Sequence, residues 1–149
     1  SWGYSGNPFG DDECGKFYAR AMSVWGMLIA CQGFIYDGPQ SVIGFKPVWQ
    51  PEDHMSFFTA AEGWGIFRQK RSAQQQTEKI EIAYGHLIVQ KLIFELPKTT
   101  SELTRISVLL DGTEISVHTD FSLAEVQILF DKPLTVPAGS VLEVYLDWR

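Results

Sequence analysis

From Gly33 onward the sequence alternates apolar and polar residues in short runs separated by turn residues, and this rhythm constrains the fold more than any other feature. The run "SVIGFKPVW", ending near Pro47, predicts one strand. Met55 to Thr59, Gly63 to Gln69, Thr77 to Ala83, His86 to Leu96, Thr104 to Leu110, Glu114 to His118, Ala124 to Phe130 and Val141 to Trp148 predict the others. "FIYDGPQ" predicts a turn at Asp37-Gly38-Pro39, "YGH" at Tyr84 to His86 a hairpin, and Asp111-Gly112 a tight two-residue hairpin turn. "RQKR", Arg68 to Arg71, reads as a solvated turn between strands and "AQQQ", Ala73 to Gln76, as a loop. This spacing is that of an antiparallel two-sheet β-sandwich over residues 34–149.

Residues 1–33 break the rhythm. "NPFGDDECGKFYARAMSVWGMLIACQGF" predicts one long N-terminal α-helix from Asp11 to about Cys31, with Asp11, Asp12 and Glu13 at the positive end of its dipole and Gly33 as its stop. Phe17, Val24, Leu28 and Cys31 form one apolar row, and Ala19, Ser23, Gly26 and Ala30 a row of small residues that allows close approach. Tyr18, Met22, Trp25, Met27, Leu28 and Ile29 spread apolar surface around most of the circumference, and a helix of that kind is normally buried. One sandwich does not cover it, so loops, a second copy or a larger helical body must.

At 149 residues the chain is expected to be one domain, 1–149, with enough core to need no staple. No apolar run approaches the roughly 18 residues that span a bilayer, and no signal peptide is visible, which makes a cytoplasmic location the default expectation. The net charge of −6 argues against a phosphate-backbone partner. His54, His86 and His118 are widely spaced, with no ligand-type pairing, so neither a metal nor a cofactor is expected. Cys14 and Cys31, 17 residues apart, would lie about 25 Å apart on one helix and read as buried thiols. No nucleophile elbow or phosphate loop occurs.

The residues also carry a resemblance. "NPFGDDECGKFYARAM", "YDGPQSVIGFKP" and "SFFTAAEGWGIFRQ", spanning roughly Asn7 to Gln69, closely resemble the C-terminal end of glycoside hydrolase family 116 and its β-glucosidase and non-lysosomal glucosylceramidase relatives. The resemblance implies that residues 1–33 belong to the end of an (α/α)6 barrel, facing a sugar pocket. It places Asp11 or Glu13 as the acid and Arg20 as the arginine that hold glucose hydroxyls. Phe17 stands where the family pattern has His, and Asp11 where Glu is usual. The family's catalytic carboxylates lie upstream of anything in this chain, so no catalytic residue is expected here.

Three functions are therefore open. The first is a non-catalytic C-terminal module of a family 116-like glycosidase, inactive alone, which closes the missing upstream helical barrel and contributes Arg20, Glu13, Asp11, Trp64 and Glu62 to a glucoside-like carbohydrate. The second is a free-standing carbohydrate-binding or interaction module that buries its helix in a homodimer. The third is a small glycosidase pairing Asp11 or Glu13 with Glu62, which requires carboxyls about 5 to 5.5 Å apart for retention or about 6.5 to 9.5 Å apart for inversion. Against the sugar readings, Glu13, Lys16 and Arg20 share one helix face and can form a salt-bridge ladder. Of the aromatic residues, Trp2, Trp25, Trp49, Trp64, Trp148 and the ten Phe, most are expected in the core.

Overall fold

The computed structural model describes residues 18–149, with side chains from Met22 onward. It is mainly β, and its centre is a single strand. Strand β5 (Gln75–Glu95) follows the hairpin β1 (Phe34–Asp37) and β2 (Val42–Phe45) and the hairpin β3 (Asp53–Ala60) and β4 (Gly63–Arg71). After it come β6 (Leu103–Leu110), β7 (Thr113–Glu114), β8 (Val117–Ser122), β9 (Glu125–Pro137) and β10 (Val141–Trp148).

The first half of β5 pairs with β4 on one side and β10 on the other, giving the layer β3-β4-β5-β10-β6-β7. Its second half pairs with β9 and β2, giving β1-β2-β5-β9-β8. The two layers meet through rings. Phe45 of β2 stacks on Phe67 of β4 at 3.8 Å, Phe67 lies 6.3 Å from Phe94 of β5, and Phe45 meets Phe58 of β3 edge-on at 5.5 Å. Phe45, Phe67 and Phe94 are fully buried.

Several sequence expectations are corrected. The pairing is mixed rather than purely antiparallel, because β2 runs parallel to β5 from Val42↔Lys91 to Phe45↔Phe94. The physical reason is the route: after β2 the chain builds the β3–β4 hairpin in the other layer and returns along β5, the crossover that a parallel pair requires. "YGH" makes no hairpin. Gly85 supplies one positive φ, 71°, where a two-residue hairpin turn of type I′ needs two. Ala83 bulges out of the β4 register, and backbone bonds continue through Gly85 to Ala138 N at 2.9 Å and from His86 N to Glu62 O at 3.1 Å. By contrast Asp111 and Gly112, at φ 49° and 80°, do close a tight hairpin between Leu110 and Thr113.

"RQKR" is strand, with Arg68 and Lys70 outward and Gln69 inward, and Gln75 and Gln76 of "AQQQ" open β5. Phe34 to Asp37 is strand before the expected turn, which Gln40 N closes on Asp37 Oδ1 at 3.0 Å.

Among the described residues helix α1 (Tyr18–Gln32) has 15 residues; Asp11 to Phe17, with Cys14, where the long helix was expected to begin, lie outside the described residues. Its stop is as expected. Gly33 takes φ 55°, and a side chain there would strike Lys46 O, which lies 2.1 Å from the Cβ position. The last turn of the helix is anchored: buried Gln32 donates to Ser56 Oγ at 2.8 Å and to Phe57 O, and Val48 N donates to Cys31 O at 3.1 Å. Cys31 is half-buried rather than buried. Met22, Val24, Trp25, Met27 and Ile29 are all exposed. No described helix is long and apolar enough to cross a membrane.

Candidate functional site

Where β5 passes from one layer to the other, Gly85 brings its backbone against the β3–β4 turn. A Cβ on Gly63 would sit 2.6 Å from Tyr84 O, so only glycine permits this approach. The contact sets Glu62 against His86, whose Nε2 pairs with the Glu62 carboxylate. Tyr36 reaches over from β1, its Oη accepting Ala61 N–H at 2.9 Å. Together with Ser41, Leu87 and Ile88 these residues line a cleft of about 280 Å³. Glu62 is the single carboxylate among the lining residues, so the cleft itself holds no pair suited to glycoside hydrolysis.

Beside the cleft lies an aromatic face. Trp64 and Tyr84 are direct cross-strand partners on the outward side of β4 and β5, 46% and 68% exposed. Two residues back along β3 the half-exposed Phe57 continues the face, and Trp25 of α1 meets it edge-on at 5.9 Å. Further along the strands the surface turns ionic. Arg68 faces Glu81 at 3.7 Å, and the Glu143 carboxylate, 2.6 Å from Lys79, holds that ammonium above its ordinary range. Flat rings with polar groups at both ends form a surface onto which a planar, partly apolar ligand can stack.

Of the sequence-predicted residues, Glu62 and Trp64 fall together here. Arg20 lies on α1 with its side chain outside the described part, and Asp11 and Glu13 lie outside the described residues. Tyr36, Tyr84 and His86 were not picked from the sequence, and their placement depends on β5 running through Gly85. Among the described residues no three His, Cys, Asp or Glu side chains converge as metal ligands.

No family model and no curated protein matches the chain. Among solved structures it is similar to an alpha-L-rhamnosidase from Dictyoglumus thermophilum, with 13% sequence identity and a TM-score of 0.43 over 78% of this chain. The match spans 12% of that protein's length. So slight a likeness carries neither activity nor family across.

Proposed function

We propose that this chain is a non-catalytic module that docks α1 and the aromatic face around Trp25 and Phe57 onto a helical body, as the C-terminal part of a family 116-like glycosidase would. The observation that carries this reading is the helix. Its final turn is pinned to the β layers by Gln32, yet Met22, Val24, Trp25, Met27 and Ile29 face solvent. Exposed apolar surface of that extent marks an interaction site, and a helical body is the partner that the resemblance of Asn7 to Gln69 implies. In the complete assembly Arg20, with Asp11 or Glu13, would contact a glucoside, with Glu62 and Trp64 contributed from the β layers.

A second reading, a free-standing carbohydrate-binding module, rests on the exposed Trp64–Tyr84 pair beside Glu62 and His86. Light scattering on the chain and on a Met22→Ser/Trp25→Ser/Met27→Ser variant separates the two. The docking module self-associates without a fixed stoichiometry, and the variant is monomeric with its β layers still folded. A parent chain that is monomeric, with tryptophan fluorescence that saturates with cellobiose and no longer does so in Trp64→Ala, establishes the second reading instead. A defined dimer makes a second copy the partner. Turnover of an aryl β-glucoside by the chain alone, lost in Glu62→Gln, overturns both.

A further inference from the structure

The inward face carries one polar seam among its rings. His54 of β3, Gln69 of β4 and Glu78 of β5 are successive cross-strand partners, all buried, and Val144 of β10 follows Glu78. His54 is satisfied at both ring nitrogens, by Trp49 O at 2.9 Å and Ser56 Oγ at 2.8 Å. The remaining bonds run in one direction. Arg71 Nε donates to Gln76 Oε1 at 2.7 Å, Gln76 Nε2 donates to Glu78 Oε1 and to Glu95 O, and Gln69 Nε2 donates to Pro51 O at 2.6 Å.

This chain lacks one link. Glu78 Oε2 and Gln69 Oε1 are buried with no partner, on residues that directly oppose each other across the β4–β5 ladder. Neither amide can turn to help, because a flipped Gln69 would aim its oxygen at the Pro51 carbonyl and a flipped Gln76 would aim its nitrogen at Arg71. An ionised Glu78 leaves two acceptors with no donor between them, each at the desolvation cost of a lost hydrogen bond. A single proton satisfies both.

We infer that Glu78 is a neutral carboxylic acid in the folded protein, donating its proton from Oε2 to the side-chain oxygen of Gln69 and completing a hydrogen-bond chain from Arg71 to the Pro51 carbonyl. The charged and titratable groups around it fit this state. Arg71 is committed to Gln76, to Glu95 O at 3.2 Å and to Glu52 at 3.8 Å rather than to Glu78. His54 lies one strand beyond Gln69 and is bonded elsewhere, and β10 contributes apolar Val144 and Leu146. Burial pushes the Glu78 carboxyl up to about 8, with the Gln76 bond and the Arg71 charge opposing it only in part.

The folded protein therefore holds a proton that the unfolded chain, with its ordinary carboxyl near 4.5, releases. Where the folded state binds more protons, stability falls as pH rises. The contribution is whole below about 4.5 and is lost as pH climbs through about 8. The far end of the chain is Pro51 O, in the segment whose Val48 N holds Cys31 O of α1, so loss of the proton also loosens the edge that anchors the helix.

The test compares the chain with Glu78→Gln, whose amide nitrogen supplies the missing donor while its oxygen still accepts from Gln76. Urea titrations from about pH 5 to about pH 8.5 should show the wild-type folding constant falling, relative to the variant, by up to about tenfold per pH unit. Amide exchange around Pro51 should quicken over the same range in the wild type alone. The infrared carbonyl band of a protonated carboxylic acid should be present in the wild type at neutral pH and missing in the variant. Absence of that band in the wild type, or a variant less stable at every pH with an unchanged slope, overturns the inference. The band alone decides it if the variant does not fold.

Discussion

Phe67→Ala is expected to destabilise the protein by about 4 kcal/mol, within the range for removing a buried phenylalanine. The ring is fully buried at the point where the two layers touch, stacked at 3.8 Å and 5° on Phe45, 6.3 Å from Phe94 and 6.0 Å from the ring of His54. Truncation removes the transfer term and leaves a void whose walls belong to two layers and cannot easily close together. Stacked pairs add about 0.5 to 1.5 kcal/mol beyond their buried area. A domain of this kind has about 5 to 15 kcal/mol in all, so the variant should lose much of its cooperative urea transition. Phe57→Ala is the comparison: Phe57 is half exposed on the outward face and touches Trp25 edge-on, and its loss should cost about 1 kcal/mol. Equal urea midpoints for the two variants would mean that the layers are not joined through the Phe45–Phe67 stack.

The same residues show what the sequence discloses. Where one face of a strand is buried and the other wet, alternation marks it plainly, as in "VLEVYLDW" of β10, whose Leu142, Val144, Leu146 and Trp148 all point inward. The parity of "TEKIEI" likewise places Glu78 on the face of Ile80 and Ile82, so its burial was legible although its charge argues otherwise. Gln76 shares that parity, but a run of glutamines reads as a loop until Arg71 and Glu95 O are seen to receive it. Direction was not legible. The parallel pairing of β2 with β5 is set by the crossover through β3 and β4, not by any residue in either strand. The site divides in the same way. Glu62 and Trp64 could be picked by residue type, whereas Tyr36, Tyr84 and His86 matter only because β5 runs on through Gly85.

That passage makes Gly85→Ala the other substitution of large effect, with an expected loss of about 3 kcal/mol or more. Two causes add. Gly85 holds φ 71°, a left-handed conformation that costs a residue with a Cβ roughly 1 to 2 kcal/mol. A Cβ there would also lie 2.0 Å from Glu62 O and 2.9 Å from Gly63 Cα, both backbone atoms fixed by the β3–β4 turn, and overpacking of that kind costs about 1 to 3 kcal/mol. Gly112→Ala isolates the first cause. Gly112 has φ 80° with nothing within 4 Å of its Cβ position, so its replacement should cost only about 1 kcal/mol once the reduced freedom of the unfolded chain is allowed for. The excess in Gly85→Ala then measures how tightly β5 and the β3–β4 turn are pressed together. Since that pressure sets Glu62 against His86 and Trp64 across from Tyr84, any relief of the clash must open the cleft and the aromatic face together. Matching costs for the two alanines, measured by urea unfolding, would mean that the turn gives way freely and that the Glu62–His86 pairing is not imposed by the crossing strand.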